Sequence, residues 1–172
     1  MKRRNNPTNY RARLRLLKSR LPRLVVRKTN SMIIGQIIYY AKEGDKTAAS
    51  VYSSELKSYG WNFSLKNTPA SYLSGFLLGK KSSIREAILD KGSRTLKKDS
   101  FIYYFMKGAS DAGMNVHTKE FDVSEGRLYG QHIMDHFNKG VSGNQFSSVG
   151  KTINNMKDEF DSVLKKLNEY GK

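Results

Sequence analysis

Twelve lysine or arginine residues, and not one aspartate or glutamate, occupy the first 42 positions of the chain. A run of that kind cannot enter an apolar interior, because each guanidinium or ammonium buried without a counter-charge costs several kcal/mol. It must lie on the surface and meet something negative. The remainder is nearly balanced: residues 43–150 carry a net +3 and residues 151–172 a net +1, so +12 of the formal +16 sits in the first quarter of 172 residues. A solvated surface mixes signs, whereas a block of one sign marks an interaction arm. With a pI near 10, the expected partner is a polyanion. A mitochondrial leader shares this composition, but here the basic run passes directly into a core strand and is not read as removable.

The arm is patterned. Arg11, Arg13, Arg15 and Lys18 interleave with Leu14, Leu16 and Leu17, with Tyr10 ahead. As a short helix it would dock its leucines on the body and turn its arginines outward. Arginine binds phosphate bidentately and stacks on bases, which suits nucleic acid better than lysine alone. Tyr10 is either a stacking platform for an unpaired base or a packing anchor beside the leucines. The arm reads as an RNA or DNA clamp.

The rest of the chain can build a core, since 38% of residues are hydrophobic and 11% aromatic. The absence of cysteine excludes disulfides, thiolate zinc sites and a cysteine nucleophile. The longest apolar stretch, Met32 to Ala41, falls short of the ~20 residues that span a bilayer, and no hydrophobic signal segment comes after the basic start, so neither a membrane nor secretion is expected.

Pro22 closes the arm, and three strands are expected in succession: Arg23 to Thr29, Met32 to Tyr40 and Thr47 to Ser53, separated by Asn30-Ser31 and Gly44-Asp45. The second is apolar at odd and even positions and is expected to be covered on both faces. Arg23 and Arg27 share one face of the first strand, extending the positive strip from arm to sheet. Asn67-Thr68-Pro69 is a capped helix start with proline in the first turn. Tyr72, Leu73, Phe76 and Leu77 form its apolar stripe, and Gly75 and Gly79 are expected to let it approach the sheet. A strand over Ile84 to Asp90 and a helix capped by Asp99-Ser100 and ended by Gly113 complete a βββαβα order, an α/β sandwich with a mixed sheet. Ser124 to Asn138 looks helical, Gly140 to Gly150 reads as loop, and Ile153, Met156, Phe160, Val163, Leu167 and Tyr170 form an a/d stripe that packs on its own protein or on one partner. The expected organisation is an N-terminal RNA-binding arm (1–21), an α/β core (22–117) and a helical C-terminal extension (118–172).

Signs of catalysis are weak. Gly75 to Lys80-Lys81-Ser82 is one residue short of a phosphate-loop spacing and lies inside a helix. His132 and His136 flank Asp135 at one helical turn, without a third ligand nearby. Asp90 with Asp45 or Asp111 would be the start of a metal-dependent nuclease site, with nothing in the sequence to fix their geometry. No Ser/His/Asp arrangement is legible. Trp61, in Tyr59-Gly60-Trp61, is an edge-of-core aromatic or a base-stacking one.

The run Asn9-Tyr10-Arg11-Ala12-Arg13-Leu14-Arg15-Leu16-Leu17-Lys18-Ser19, continued by Pro22-Arg23-Leu24-Val25-Val26-Arg27-Lys28, resembles the 5S-rRNA-binding large-subunit ribosomal protein family that universal naming numbers eighteen. Gly44-Asp45, Tyr59-Gly60-Trp61, Asn67-Thr68-Pro69-Ala70-Ser71-Tyr72-Leu73, Leu77-Leu78-Gly79-Lys80-Lys81, Lys107-Gly108-Ala109, Asp111-Ala112-Gly113 and Arg127 with Gly130-Gln131-His132-Ile133 agree with it in order, and the long tail resembles the archaeal type. Departures are a short connection at Lys81-Ser82-Ser83-Ile84, a more basic Ser93 to Lys98, and no proline before His117.

The resemblance implies an RNase H-like three-layer α/β sandwich without catalysis, no cofactor and no metal. It implies a cytoplasmic, ribosomal location in the central protuberance, where the family anchors 5S rRNA to the large-subunit rRNA beside a neighbouring 5S-binding ribosomal protein. Neither a membrane nor a homo-oligomer is implied. The candidate RNA-binding set is Lys2, Arg3, Arg4, Tyr10, Arg11, Arg13, Arg15, Lys18, Arg20, Arg23, Arg27, Lys28, Trp61, Asn67 and Thr68. The alternative from another class is the metal-dependent nuclease on the same fold.

Overall fold

A computed structural model describes residues 9–118, 122–139 and 150–170. The arm forms helix α1 (Tyr10–Leu17), started by Asn9, whose side chain accepts from the backbone N–H of Ala12 at 3.0 Å. Strands β1 (Arg23–Lys28), β2 (Ile33–Tyr39) and β3 (Lys46–Tyr52) come next as an antiparallel meander. Helix α2 (Thr68–Lys81) opens with Asn67 accepting from Ala70 N at 2.9 Å and Pro69 in its first turn, as its sequence dictates. Strand β4 (Glu86–Asp90), helix α3 (Phe101–Asp111) and the short strand β5 (Asn115–His117) complete the sheet, with order β3-β2-β1-β4-β5 and β4 parallel to both β1 and β5. Helices α4 (Glu125–Leu128), α5 (Gln131–Asn138) and α6 (Met156–Glu169) form the C-terminal part. The chain is the expected mixed α/β sandwich with a helical extension, and β5 adds one strand to the expected order.

The core lies on one side of the sheet. Leu24 and Val26 of β1, Ile33 and Ile37 of β2, Val51 of β3 and Ala87 and Leu89 of β4 point to that side and are buried. The expectation that β2 is covered on both faces does not hold: Ile34, Gln36 and Ile38, on the opposite face, are only half-buried. Helices α2 and α3 stand together on the core side. A Cβ at Gly35 of β2 would meet the Phe105 ring of α3 at 2.1 Å, which places that ring directly on the sheet backbone.

Gly75 serves the contact between helices, not the approach to the sheet that its sequence position was expected to provide. A Cβ there would sit 1.9 Å from the Phe105 carbonyl oxygen, and one at Gly108 of α3 would sit 2.1 Å from the Tyr72 carbonyl oxygen. The two helix backbones therefore touch, and the contact is locked laterally by the Tyr72 hydroxyl donating to Asp111 at 2.8 Å. Burial, and then the hydrogen bond to Asp111, pushes the Tyr72 phenol above its ordinary pKa and keeps it a neutral donor.

At the start of α3, Asp99 does not cap. Its carboxylate accepts from the Tyr104 hydroxyl at 2.8 Å, and Ser100 at the capping position makes no side-chain cap bond. The C-terminal stripe closes the core on its own chain: Ile153, Met156, Phe160, Val163 and Leu167 are buried in the same cluster as the sheet residues, whereas Tyr170 remains exposed. Phe160 packs against Tyr72 of α2 at 5.5 Å and edge-on against Tyr129 at 5.3 Å. The stretch expected as one helix from Ser124 is broken by Gly130, at φ 77°, into α4 and α5.

Because Gly75 meets backbone, which no rotamer change relieves, Gly75→Ala is expected to destabilise the fold by about 3 kcal/mol, the upper end of overpacking. Gly126→Ala, whose new methyl meets only Gln131 Cβ at 3.8 Å, should lose nothing and gain up to ~1 kcal/mol of helix propensity. Urea unfolding of the two variants checks the contrast.

Candidate nucleic-acid interface

The arm is held to the body by an ion network that the sequence does not announce. Arg13 of α1 donates from Nη2 to both carboxylate oxygens of Asp45, at 2.9 and 3.0 Å, in the turn between β2 and β3. Arg23, at the start of β1, gives Nη2 to the same Asp45 and Nη1 to Asp90 at 3.0 Å. Arg27, two pleats along β1, reaches Asp90 from the other side, with Nη2 3.2 Å from Oδ1 and Nη1 2.9 Å from the Asp90 carbonyl oxygen. Two carboxylates thus bind three arginines, joining helix, hairpin turn and the end of β4.

This network divides the expected binding residues. The Arg23 side chain is only 6% exposed and spends its two Nη groups on Asp45 and Asp90. It has no surface to present to a phosphate, which corrects its place in the expected strip. Arg13 and Arg27 are part-engaged, with side chains 34% and 41% exposed. On α1 the leucines do not all dock: Leu14 is 60% exposed and Tyr10 is 72% exposed, while Leu16 and Leu17 are half-buried. Arg13, half-buried like Leu16 and Leu17, adds an ionic anchor to their apolar one. Arg11, Arg15, Lys18 and Arg20 are exposed and make no ion pair with a described residue. Lys2, Arg3 and Arg4 lie outside the described residues.

The remaining expected residues sit elsewhere. Trp61 is fully buried, edge-on to Phe63 at 5.3 Å, with its indole N–H donating to the Ser64 carbonyl at 3.3 Å. It is a core residue and cannot stack on a base from that position. Asn67 is committed through its oxygen to the α2 cap, and Thr68 beside it is half-buried. Lys28 closes β1 at the end away from the arm.

Sequence reasoning missed the exposed tyrosines beside the arm. Leu17, Arg20, Leu21, Tyr39 and Tyr40 line a cleft of about 250 Å³ between the end of α1 and the end of β2. Arg20 takes a left-handed backbone, φ 57°, unusual for a residue with a side chain, as the chain leaves α1. Only the two adjacent tyrosines at the end of an apolar strand could have signalled the cleft.

Most of the groups that catalysis would need are engaged in holding the fold. Among the described residues no three His, Cys, Asp or Glu side chains gather as for a metal ion. The acids considered for nuclease chemistry are taken: Asp45 and Asp90 hold guanidinium groups, and Asp111 holds the Tyr72 hydroxyl and Lys107. Burial, and then the Arg127 charge, lowers the pKa of His132 and favours its neutral form. The glycine-lysine stretch lies within α2, where Lys81 pairs with Glu55. No described helix is long and apolar enough to cross a membrane.

Residues 1–86, which hold this whole network except Asp90, match the family model described as ribosomal large subunit proteins 60S L5 and 50S L18. Over 96% of its length the chain is 42% identical to the large ribosomal subunit protein uL18 of Korarchaeum cryptofilum, covering 91% of that protein. The chain belongs to the uL18 family. The uL18 protein of Methanothermobacter thermautotrophicus is 36% identical over 98% of the chain and 93% of its own length. Both relatives are archaeal, the type that the sequence resembles. A uL18 protein is a structural constituent of the large subunit of the cytoplasmic ribosome, not an enzyme, and the nuclease alternative falls with that assignment.

In this uL18 chain the network makes a sharp stability prediction. Asp90→Asn leaves the buried Arg23 with a single carboxylate and Arg27 with only the backbone carbonyls of Val26 and Asp90 as charge-free partners, and should cost about 1.5–3 kcal/mol, the range for a charged hydrogen bond lost in a part-buried site. Thermal and urea unfolding against the wild type measure it; a change below ~0.5 kcal/mol would show that the network is ornamental.

Proposed function

We propose that this chain binds 5S rRNA and helps anchor it to the large-subunit rRNA in the central protuberance, beside a neighbouring 5S-binding ribosomal protein. The observation that carries the proposal is the partition of the arm's charge. Arg13 is held by Asp45, fixing α1 on the body, while Arg11, Arg15, Lys18 and Arg20 are left exposed without carboxylate partners among the described residues. An arm tethered by one arginine and open at four basic groups is pre-positioned for phosphates, which lowers the ordering cost of binding. Lys2, Arg3 and Arg4 extend the same sequence block.

Affinity on this reading comes from phosphate neutralisation, and specificity from RNA shape and a few unpaired bases. The cleft beside Arg20 gives the second element a place. Tyr39 and Tyr40 are 43% and 59% exposed, and an exposed aromatic next to an arginine suits a splayed base and its phosphate. Arg23, Trp61 and Asn67 serve from inside, by holding the arm, the core and the start of α2. Arg27, part-engaged by Asp90, borders the arm's ion network, while Lys28 lies at the far end of β1 and Thr68 at the start of α2.

Contact with about 6–10 phosphates gives log K against log salt a slope near −4 to −9, at ~0.7–0.9 per phosphate. The triple variant Arg11→Gln, Arg15→Gln, Lys18→Gln should make that slope shallower by about 2–3, with unfolding unchanged because none of the three is buried. Titration of transcribed 5S rRNA across a KCl series reads it, and a slope equal to that of the wild type would remove the arm from the interface.

A further inference from the structure

At the far end of β1 from the arm stands a second group of cations, and no carboxylate answers it among the described residues. Lys28, the last residue of β1, sets Nζ 5.4 Å from the centre of the Phe101 ring, and Arg94, in the connection from β4 to α3, sets its guanidinium carbon 5.7 Å from the same ring. Lys66, ahead of α2, is steadied by donating from Nζ to the Asn30 carbonyl at 3.0 Å. None of the three forms an ion pair with a described residue, although Arg13, Arg23, Arg27, Lys81 and Lys107 all do. Burial, then Lys66, then Arg94 drives the Lys28 ammonium below its ordinary pKa, so the neighbours are close enough to repel it.

Carboxylates engage the arginines that tie the arm to the sheet, Arg13, Arg23 and Arg27, whereas this cluster is left without one among the described residues and two of its members are pinned on an aromatic ring. The Phe101 face and the Asn30 carbonyl hold the side chains where they are, so the positive site is formed before any ligand arrives. An anion between the three groups would relieve the repulsion. The site is also remote from the arm: Lys28 lies five strand steps from Arg23, about 17 Å at 3.3 Å per residue, too far for one phosphate to serve both.

We infer that Lys28, Lys66 and Arg94 form a second phosphate site, which grips a segment of RNA other than the one held by the arm. The inference rests on the reading of the partner as ribosomal RNA and deepens it: the protein holds RNA at both ends of β1, as a clamp between two RNA segments must.

The double variant Lys66→Gln, Arg94→Gln in the full chain tests the site, with transcribed 5S rRNA and transcribed large-subunit rRNA as separate probes in a KCl series. The expected result is a slope shallower by about 1–2 on at least one of the two RNAs, adding to the loss caused by the arm triple variant, with an unchanged or raised melting temperature because repulsion is removed. Unchanged slopes on both RNAs overturn the inference, and so does a fall in melting temperature without a slope change, which would make the cluster a packing device. The parent reading fails differently: the wild type itself would bind an unrelated folded RNA of equal length as well as 5S rRNA, whatever the double variant does.

Discussion

The guanidinium of Arg23 is the group on which the arrangement turns. It is nearly withdrawn from water, and desolvating a guanidinium costs several kcal/mol unless the charge is met in good geometry. Asp45 and Asp90 meet it from two elements, and each has capacity left for a further arginine. Asp45 takes Arg13 and so fixes α1 to the β2–β3 turn; Asp90 takes Arg27 and so ties the end of β4 to β1. A basic arm and a mixed sheet become one positioned surface because three guanidinium groups share two carboxylates. Of the three Arg23 nitrogens, Nε alone lacks a partner among the described residues.

The same economy governs where charge is left free. Carboxylates stand where the fold needs arginine immobilised, and no described one pairs with the cations on the outer side of α1 or around Phe101. Net charge of +16 works against compactness through self-repulsion. On the proposed function that repulsion is relieved once RNA phosphates surround it. The helical layer makes the opposite bargain. Its glycines bring α2 and α3 into backbone contact, and α6 seals α2 from outside through Phe160 and its neighbours, so the scaffold carrying the charge is closely packed.

Elements with strong local signals were legible in the sequence. The β1–β3 meander comes from β-branched runs divided by Asn30-Ser31 and Gly44-Asp45, α2 from its Asn-Thr-Pro start, and α6 from apolar steps of three and four. Strand β5 was not, since Asn-Val-His is three residues long and shows no period. The one-sided burial of β2 was hidden because Ile34 and Ile38 are apolar yet lie on a face that the helices leave open. The helix-to-helix role of Gly75 was hidden too, because its partner oxygen belongs to Phe105, thirty residues away.

The site was legible in kind and not in detail. The charge block and the resemblance named the arm, but no local pattern says that an arginine at position 23 will be claimed by an aspartate 67 residues later. Trp61 could be either core or surface until the fold buried it, and the tyrosine cleft and the cluster at Phe101 each assemble residues from separate segments of the chain. Recognition of 5S rRNA by this surface, as against polyanions at large, is tested most directly by competition. Labelled 5S rRNA bound to the full chain at about physiological salt, where charge-driven binding weakens, is challenged with unlabelled 5S rRNA or with an unrelated folded RNA of equal length. The expected result is that 5S rRNA displaces the label at least tenfold more effectively, a difference of about 1.4 kcal/mol; equal displacement by the two RNAs would contradict it.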